Sequence, residues 1–444
     1  MLAAPETIRQ NKEYTIASWM AQSTWNPIPI ERGEGVYIYD QNGKRYIDWS
    51  SQLVNVNIGH SHPHVVKAIQ EQVAKLCYVD PGFATGPRGT LGEMLAAVAP
   101  NMAKAFFTNG GTDAVENAMK MARMMTGRQK VLTRYKSYHG ATFAAMTAGG
   151  DPRRLANEPG VPWIVRMPDP YAYRNPVYRG RTQEEGDAIL ADMIEDQVVM
   201  EGPENCAAIM IEGYSGSSGI MQPSGVFYTR LRQICDKYGM LLIVDEVMSG
   251  FGRTGEWFGI QHYPDVKPDM IAIAKGVTSG YIPLGATLVS AEVAAWFDDH
   301  ILHTGLTYSS HALACAAGVA TLEVYHNEGL VERSRKMGKV LRRGLMDLAE
   351  KHPVIGDVRG AGLHHVIELV KNRETREPLS AFNKPFSDPM KKAAGALKQN
   401  GLSTLVRWNM IFNCPPLIVT ETQIQEGLDI LDGVLTTLDE AYED

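Results

Sequence analysis

Cysteine is scarce in this chain. Its 444 residues include five, at positions 77, 206, 235, 315 and 414, with no C-x-x-C pair among them. An odd and scattered set excludes a disulfide framework and a thiolate zinc site, and leaves small buried hydrophobes in a reducing compartment. Long hydrophobic runs are missing as well. No segment approaches the ~18 apolar residues of a membrane span, and "MLAAPETIRQNKEYTIASW" lacks the charged-then-apolar order of a secretory signal. Basic excess is absent: 43 Lys and Arg stand against 50 Asp and Glu, a net charge of -7. That argues against a nucleic-acid partner. Repeats, low-complexity tracts and flexible linkers are missing too. The expectation is a cytoplasmic protein whose units pack tightly, with no membrane and no nucleic acid among its partners.

What the chain does have is strand–helix alternation. "VYIYDQNGKRYIDW" reads as two alternating strands joined through Asn42-Gly43, a hairpin signal. "HPHVVKAIQEQVAKL" sets Val65, Val66, Ile69, Val73 and Leu76 at helical spacing. From about residue 100 to 290 the apolar runs "KAFFT", "KVLTRY", "CAAIMIE", "MLLIVD" and "MIAIA" alternate with helical segments. Thr182 and Glu185 form a capping box that opens one of those helices. Uninterrupted apolar strands separated by helices predict an α/β fold with a parallel sheet covered on both faces. After Ala312 the chain reads as long helix to about Glu350. The short strands "HHVIELV" and "IFNC" and a last helix near Thr420 then predict a smaller α+β unit.

Ligands of such sheets collect beyond the carboxyl ends of the strands. Three candidates stand there. Lys275 follows five apolar residues and precedes Gly276, which is expected to leave room for something bulky beside the amine. A desolvated lysine loses its proton more easily and can form a Schiff base with an aldehyde. Asp245 ends "LLIVD" and needs a cationic partner, either a protonated ligand nitrogen or an arginine such as Arg253. After Thr108, two glycines and Thr112 open a helix, whose free N–H groups and dipole make an anion site unless Thr112 simply caps it. A phosphate cup, a carboxylate and an amine together complement the phosphate, ring nitrogen and aldehyde of pyridoxal phosphate (PLP).

Three other motifs point elsewhere. "GFGRTG", from Gly250, satisfies G-x-G-x-x-G but does not directly follow its strand or open a helical pattern, which disfavours a nicotinamide oxidoreductase. "GHSHPH", with His60, His62 and His64, is broken by Pro63 and reads as a turn into the next helix, not as a metal cluster. "GYSGS" lacks the last glycine of a nucleophile elbow.

The sequence resembles the class III aminotransferases of the fold-type-I PLP enzymes. The matching segments are "TNGGTDAVENAMKMAR", "YKSYHGATFAA", "IEGYSGSSGIMQP", "DEVMSGFGRTGEWFG", "IAIAKGV", "IPLGATLVS" and "GLTYSSHALACAAG", in family order over about residues 30 to 430. The resemblance implies a large unit at 56–325 with a mostly parallel seven-stranded sheet sandwiched by helices. It implies a small α+β unit at 326–444, with residues 1–55 packing against it. It also implies roles. Lys275 forms the internal aldimine, Asp245 bonds the pyridine nitrogen, and Val247 and Tyr138 cover the two ring faces. Gly111 and Thr112 hold the phosphate, and His139 and Glu212 also lie against the cofactor. Glu212 is followed by Gly213, where the family often has proline. Thr307 reaches the phosphate of a neighbouring subunit, so a homodimer with shared active sites, which can pair further into tetramers, is expected. No metal is implied. Trp25, Leu53, Val54, Phe83 and Tyr138 fall on pocket-lining segments, and Arg407 is the candidate for a substrate carboxylate or sulfonate. Within the class the chain is most similar to ω-amino-acid and amine transaminases of β-alanine or taurine type, with pyruvate or 2-oxoglutarate as acceptor. A 4-aminobutyrate or ornithine specificity, or the same scaffold running aminomutation, racemisation or decarboxylation, stays open.

Overall fold

The computed structural model describes residues 3–443. The chain begins with a helix, Ala4–Tyr14, and then an antiparallel meander of β1 (Ile30–Glu34), β2 (Tyr37–Asp40) and β3 (Arg45–Asp48). The Asn42-Gly43 turn joins β2 to β3, with Gly43 at φ 81°.

The central sheet has seven strands. They are β4 (Lys104–Thr108), β5 (Lys130–Arg134), β6 (Ile164–Met167), β7 (Cys206–Glu212), β8 (Leu241–Asp245), β9 (Met270–Ile273) and β10 (Gly285–Val289). Their order is β4-β10-β9-β8-β7-β5-β6, and β10 alone runs against its neighbours. Every residue of β7, β9 and β10 is buried, as strands covered on both faces must be. Alternate side chains feed two separate cores. Ile209, Ile211, Leu242, Val244, Ile271 and Ile273 belong to one, with Phe227 and Leu231 of the Gly225–Tyr238 helix. Ala208, Met210, Ile243, Met270 and Ala272 belong to the other, with Ala114, Val115 and Ala118 of the Gly111–Thr126 helix. That is the period of two written into three-dimensional form. The Thr182/Glu185 capping box is present at the start of the Gln183–Glu201 helix.

The helical stretch after Ala312 is two helices, Ala312–Asn327 and Leu330–Lys351, parted at Gly329. Beyond it, β11 (Ile355–Ala361), β12 (His364–Leu369), β14 (Val406–Arg407) and β15 (Met410–Asn413) form a second small sheet in the order β11-β12-β15-β14. β13 (Leu402–Ser403) leaves that region and pairs in parallel with β3, so N-terminal and C-terminal segments share a sheet.

On the Pro63–Lys75 helix only Val65 is fully buried, while Val73 and Leu76 keep 50% and 39% of their surface exposed. The apolar periodicity is real, but this chain does not cover all of it.

Candidate active site

Register brings the acidic groups together. Glu212 and Asp245 are cross-strand partners at the carboxyl ends of β7 and β8, and Ala272 lies beside Asp245 on β9. Paired positions point to the same face of a sheet. Both carboxylates therefore rise on the side that packs against the Gly111–Thr126 helix. Lys275 comes two residues after β9, with φ 46°, a left-handed conformation that side chains other than glycine adopt only where their surroundings enforce it.

These groups line one cavity of about 360 Å³. Its wall includes Gly111, Thr112, Tyr138, His139, Glu212, Asp245, Val247, Lys275, Leu53, Val54 and Arg407. Burial pushes the Lys275 ammonium below its ordinary value, against the pull of Asp245 and Glu212. Asp245 is pinned from two sides: Val247 N–H donates to Oδ1 at 2.9 Å, and His139 Nδ1 lies 2.7 Å from Oδ2. Burial raises Glu212, and Arg134, 3.0 Å away, draws it back. Gly110 caps the Gly111–Thr126 helix without a side-chain acceptor, so Thr112 is not the cap. Thr112 Oγ1 instead meets Thr142 Oγ1 at 2.8 Å.

Two local expectations are corrected. The space beside Gly276 belongs to the protein, because a Cβ there would sit 2.7 Å from Phe251 Cβ and 2.8 Å from Asn57 Nδ2. Arg253 is not the partner of Asp245. It is fully buried and donates to the carbonyls of Leu363, Cys414 and Pro415 and to Ser51 Oγ and Asn57 Oδ1. "GFGRTG" is thus a turn that bolts the large sheet's loops to segments from both ends of the chain. Gly213 also gains a reason. A Cβ there would lie 2.1 Å from Glu246 Oε1. The three histidines of "GHSHPH" face three different carboxylates, Asp48, Glu328 and Glu323, and His62 is the N-cap of the next helix.

Three candidates do not line this cavity. Trp25 is half-buried elsewhere, Phe83 is 64% exposed, and Thr307 is exposed with its carbonyl accepting from Tyr78 Oη at 2.7 Å. Sequence reasoning missed Trp19, Arg153, Tyr214, Ser217 and Met248, all in the wall. Arg153 sits in "GDPRRL", where Asp151 and Pro152 signal only a short helix start. Its guanidinium lies 4.1 Å from the Tyr138 ring centroid and 5.3 Å from that of Trp19.

The cavity fits a cofactor of the expected kind. It combines an amine, a fixed carboxylate and the start of a 16-residue helix. Among the described residues, buried His139 Nε2 and Ser217 Oγ have no hydrogen-bond partner, which unfilled polar sites explain.

The family model for aminotransferase class III matches residues 19–435. The chain belongs to the class III aminotransferases. These enzymes depend on PLP, and this aminotransferase transfers an amino group from an amine donor to an oxo-acid acceptor. It is 34% identical to the taurine–pyruvate aminotransferase of Bilophila wadsworthia, over 98% of both chains. A probable 4-aminobutyrate aminotransferase of Bacillus subtilis is 35% identical, over 91% of this chain and 92% of its own. The solved taurine:2-oxoglutarate aminotransferase of Bifidobacterium kashiwanohense, in complex with PLP and glutamate, superposes with a TM-score of 0.95. It is 42% identical and covers 99% of each chain. Among the described residues no helix is long and apolar enough to cross a membrane.

Proposed function

We propose that this aminotransferase uses an ω-amino acid or amine with a compact acidic end, of taurine or β-alanine type, and passes the amino group to pyruvate or 2-oxoglutarate. The observation that carries the reading is a pair of guanidiniums, Arg153 and Arg407, in the wall of the cavity that holds Lys275 and Asp245. A guanidinium fork matches a carboxylate or sulfonate, and an apolar amine has no use for two.

In this reading Lys275 holds the PLP aldehyde, Asp245 the ring nitrogen, Val247 and Tyr138 the ring faces, and Gly111 and Thr112 the phosphate. His139 and Glu212 complete the surroundings. When bound, PLP supplies an electron sink for charge developing at the substrate carbon. Lys275 Nζ, kept from full basicity by burial, would take a proton from that carbon and deliver it to the cofactor carbon that receives the amino group. His139 and Val247 N–H hold the Asp245 carboxylate in one orientation, so its negative charge needs no rearrangement during turnover. Leu53, Val54 and Trp19 give the wall its apolar part.

A homodimer belongs to the same proposal. Tyr78 and Tyr308 are exposed beside Thr307, and a second copy covering them would bring Thr307 to its own site. Five unpaired cysteines support the cytoplasm as its location.

Two measurements test the reading. Lys275→Ala abolishes turnover and the borohydride-fixable attachment of PLP; retained turnover refutes the assignment of Lys275. A donor panel of taurine, β-alanine, 4-aminobutyrate, ornithine and 1-phenylethylamine against both oxo acids ranks the compact acidic donors first. Preference for 1-phenylethylamine over all of the amino acids refutes the substrate class.

A further inference from the structure

Arg153 and Arg407 come from distant parts of the chain. Arg153 belongs to the short Pro152–Asn157 turn of helix and Arg407 to β14. Two like charges in one wall repel, and burial together with the charge of Arg153 lowers Arg407 while Asp151 opposes the change. What joins them is a single side chain that does not itself line the cavity. Asp151 keeps only 4% of its surface exposed. Its Oδ1 accepts from Arg153 N at 3.0 Å and Arg153 Nε at 2.7 Å, and its Oδ2 accepts from Arg153 Nη2 at 3.2 Å and from Arg407 Nη2. Among the described residues neither arginine has another carboxylate. The remaining support is aromatic: Arg153 stacks over Tyr138, and Arg407 lies 4.3 Å from the Trp408 ring centroid. Arg407 Nε is buried and has no partner among the described residues, a donor still to be satisfied.

We propose that Asp151 is the positioning residue of the acid-binding wall, holding both guanidiniums on one carboxylate so that their remaining donors converge on the anionic end of the substrate. This rests on the reading of Arg153 and Arg407 as that wall. The alternative effect of Asp151, dilution of the positive charge the substrate meets, has the opposite sign. Geometry favours positioning. Asp151 grips Arg153 through three donors and, among the described residues, is the only ionic tether on Arg407. Without it two long, mutually repelling side chains must be ordered by the substrate itself, which weakens binding.

The test uses the PLP-loaded enzyme and two ligands without an amine, isethionate and 3-hydroxypropionate, the hydroxyl counterparts of taurine and β-alanine. Their dissociation constants are measured by calorimetry, with unfolding temperature and the PLP absorbance recorded as controls. Asp151→Asn is expected to weaken binding at least ten-fold. Asp151→Glu keeps the charge but lengthens the arm, and is expected to weaken it at least three-fold; it carries the test if Asp151→Asn does not purify. The ratio of taurine to propylamine half-reaction efficiency is expected to fall ten-fold in Asp151→Asn, a change that a general loss of stability does not produce. Unchanged binding in Asp151→Glu, or equal or tighter binding in Asp151→Asn, overturns the proposal. Failure of both ligands to bind the wild-type enzyme, or no effect of Arg153→Met and Arg407→Met, refutes instead the wall on which it rests.

Discussion

Glu368 offers a perturbation whose size can be worked out beforehand. It lies on β12 with 1% of its surface exposed. Arg174 Nε approaches one oxygen at 2.5 Å and Arg359 Nη1 the other at 2.7 Å, while Tyr171 Oη donates a short hydrogen bond. Tyr171 and Arg174 precede the Gln183–Glu201 helix of the large sheet; Arg359 and Glu368 belong to the small one. The carboxylate is therefore a clasp between the two. Asn409, two residues from Arg407, donates to the Leu369 carbonyl at 2.8 Å and leans on Glu368 at 3.4 Å. Burial alone would raise this carboxyl, but the two arginines and Tyr171 hold it at about 2 against an ordinary 4.5.

That depression corresponds to about 3 kcal/mol of stability. A folded-state value below the unfolded one makes the contribution complete above pH 4.5 and removes it as pH falls toward 2. Glu368→Gln keeps the shape and deletes the charge; Arg174 loses its carboxylate while Arg359 keeps Asp357 at 2.6 Å, a loss of about 3 kcal/mol, the low end for broken buried pairs. Urea unfolding followed by tryptophan fluorescence, at pH 7 and again at pH 3.5, reads the difference between wild type and variant. It is expected near 3 kcal/mol at pH 7 and about 2 kcal/mol at pH 3.5. A difference under 1 kcal/mol at pH 7, or one that does not shrink with acid, refutes the clasp. The variant should also bind acidic substrates less tightly, because the turn behind Arg407 loses a support.

Other outcomes follow from neighbouring geometry. Arg253→Met strips partners from five buried acceptors and is expected to lower stability by about 3–5 kcal/mol, read as a urea midpoint; a shift under 1 kcal/mol would show that "GFGRTG" is not a bolt. Glu246 behaves opposite to Glu368. Burial pushes it up to about 7, so the folded protein binds its proton more tightly than the unfolded chain. Stability tied to it falls as pH rises from 4.5 to 7 and is level above. Glu246→Gln is expected to flatten stability over that window, and an unchanged slope in the variant would assign the dependence elsewhere.

How far the chain's linear order disclosed this arrangement depended on whether each signal was local. The runs "CAAIMIE", "LLIVD" and "MIAI" could be read as buried strands because uninterrupted apolar residues have few other uses, and Lys275 and Asp245 stood out because charge directly after such a run needs a reason. β10 as the one reversed strand had no local mark, since direction in a sheet follows from connections and not from composition. Neither did the pairing of β13 with β3, two residues against two, 355 positions apart along the chain. The site divides in the same way. Its floor is built at strand ends and was legible. Its wall is built where chain ends and turns converge; Leu53, Val54 and Arg407 were marked, while Trp19 and Arg153 were not. Arg153 looked like an ordinary arginine after an Asp-Pro helix start, because the feature that singles it out is a shared carboxylate with a residue 254 positions away. Chemistry common to the family thus resides in elements with strong local signatures. In the proposed reading the choice of substrate resides in contacts between segments, and it is there that variation in loops would retune specificity without disturbing the lysine and carboxylate beneath.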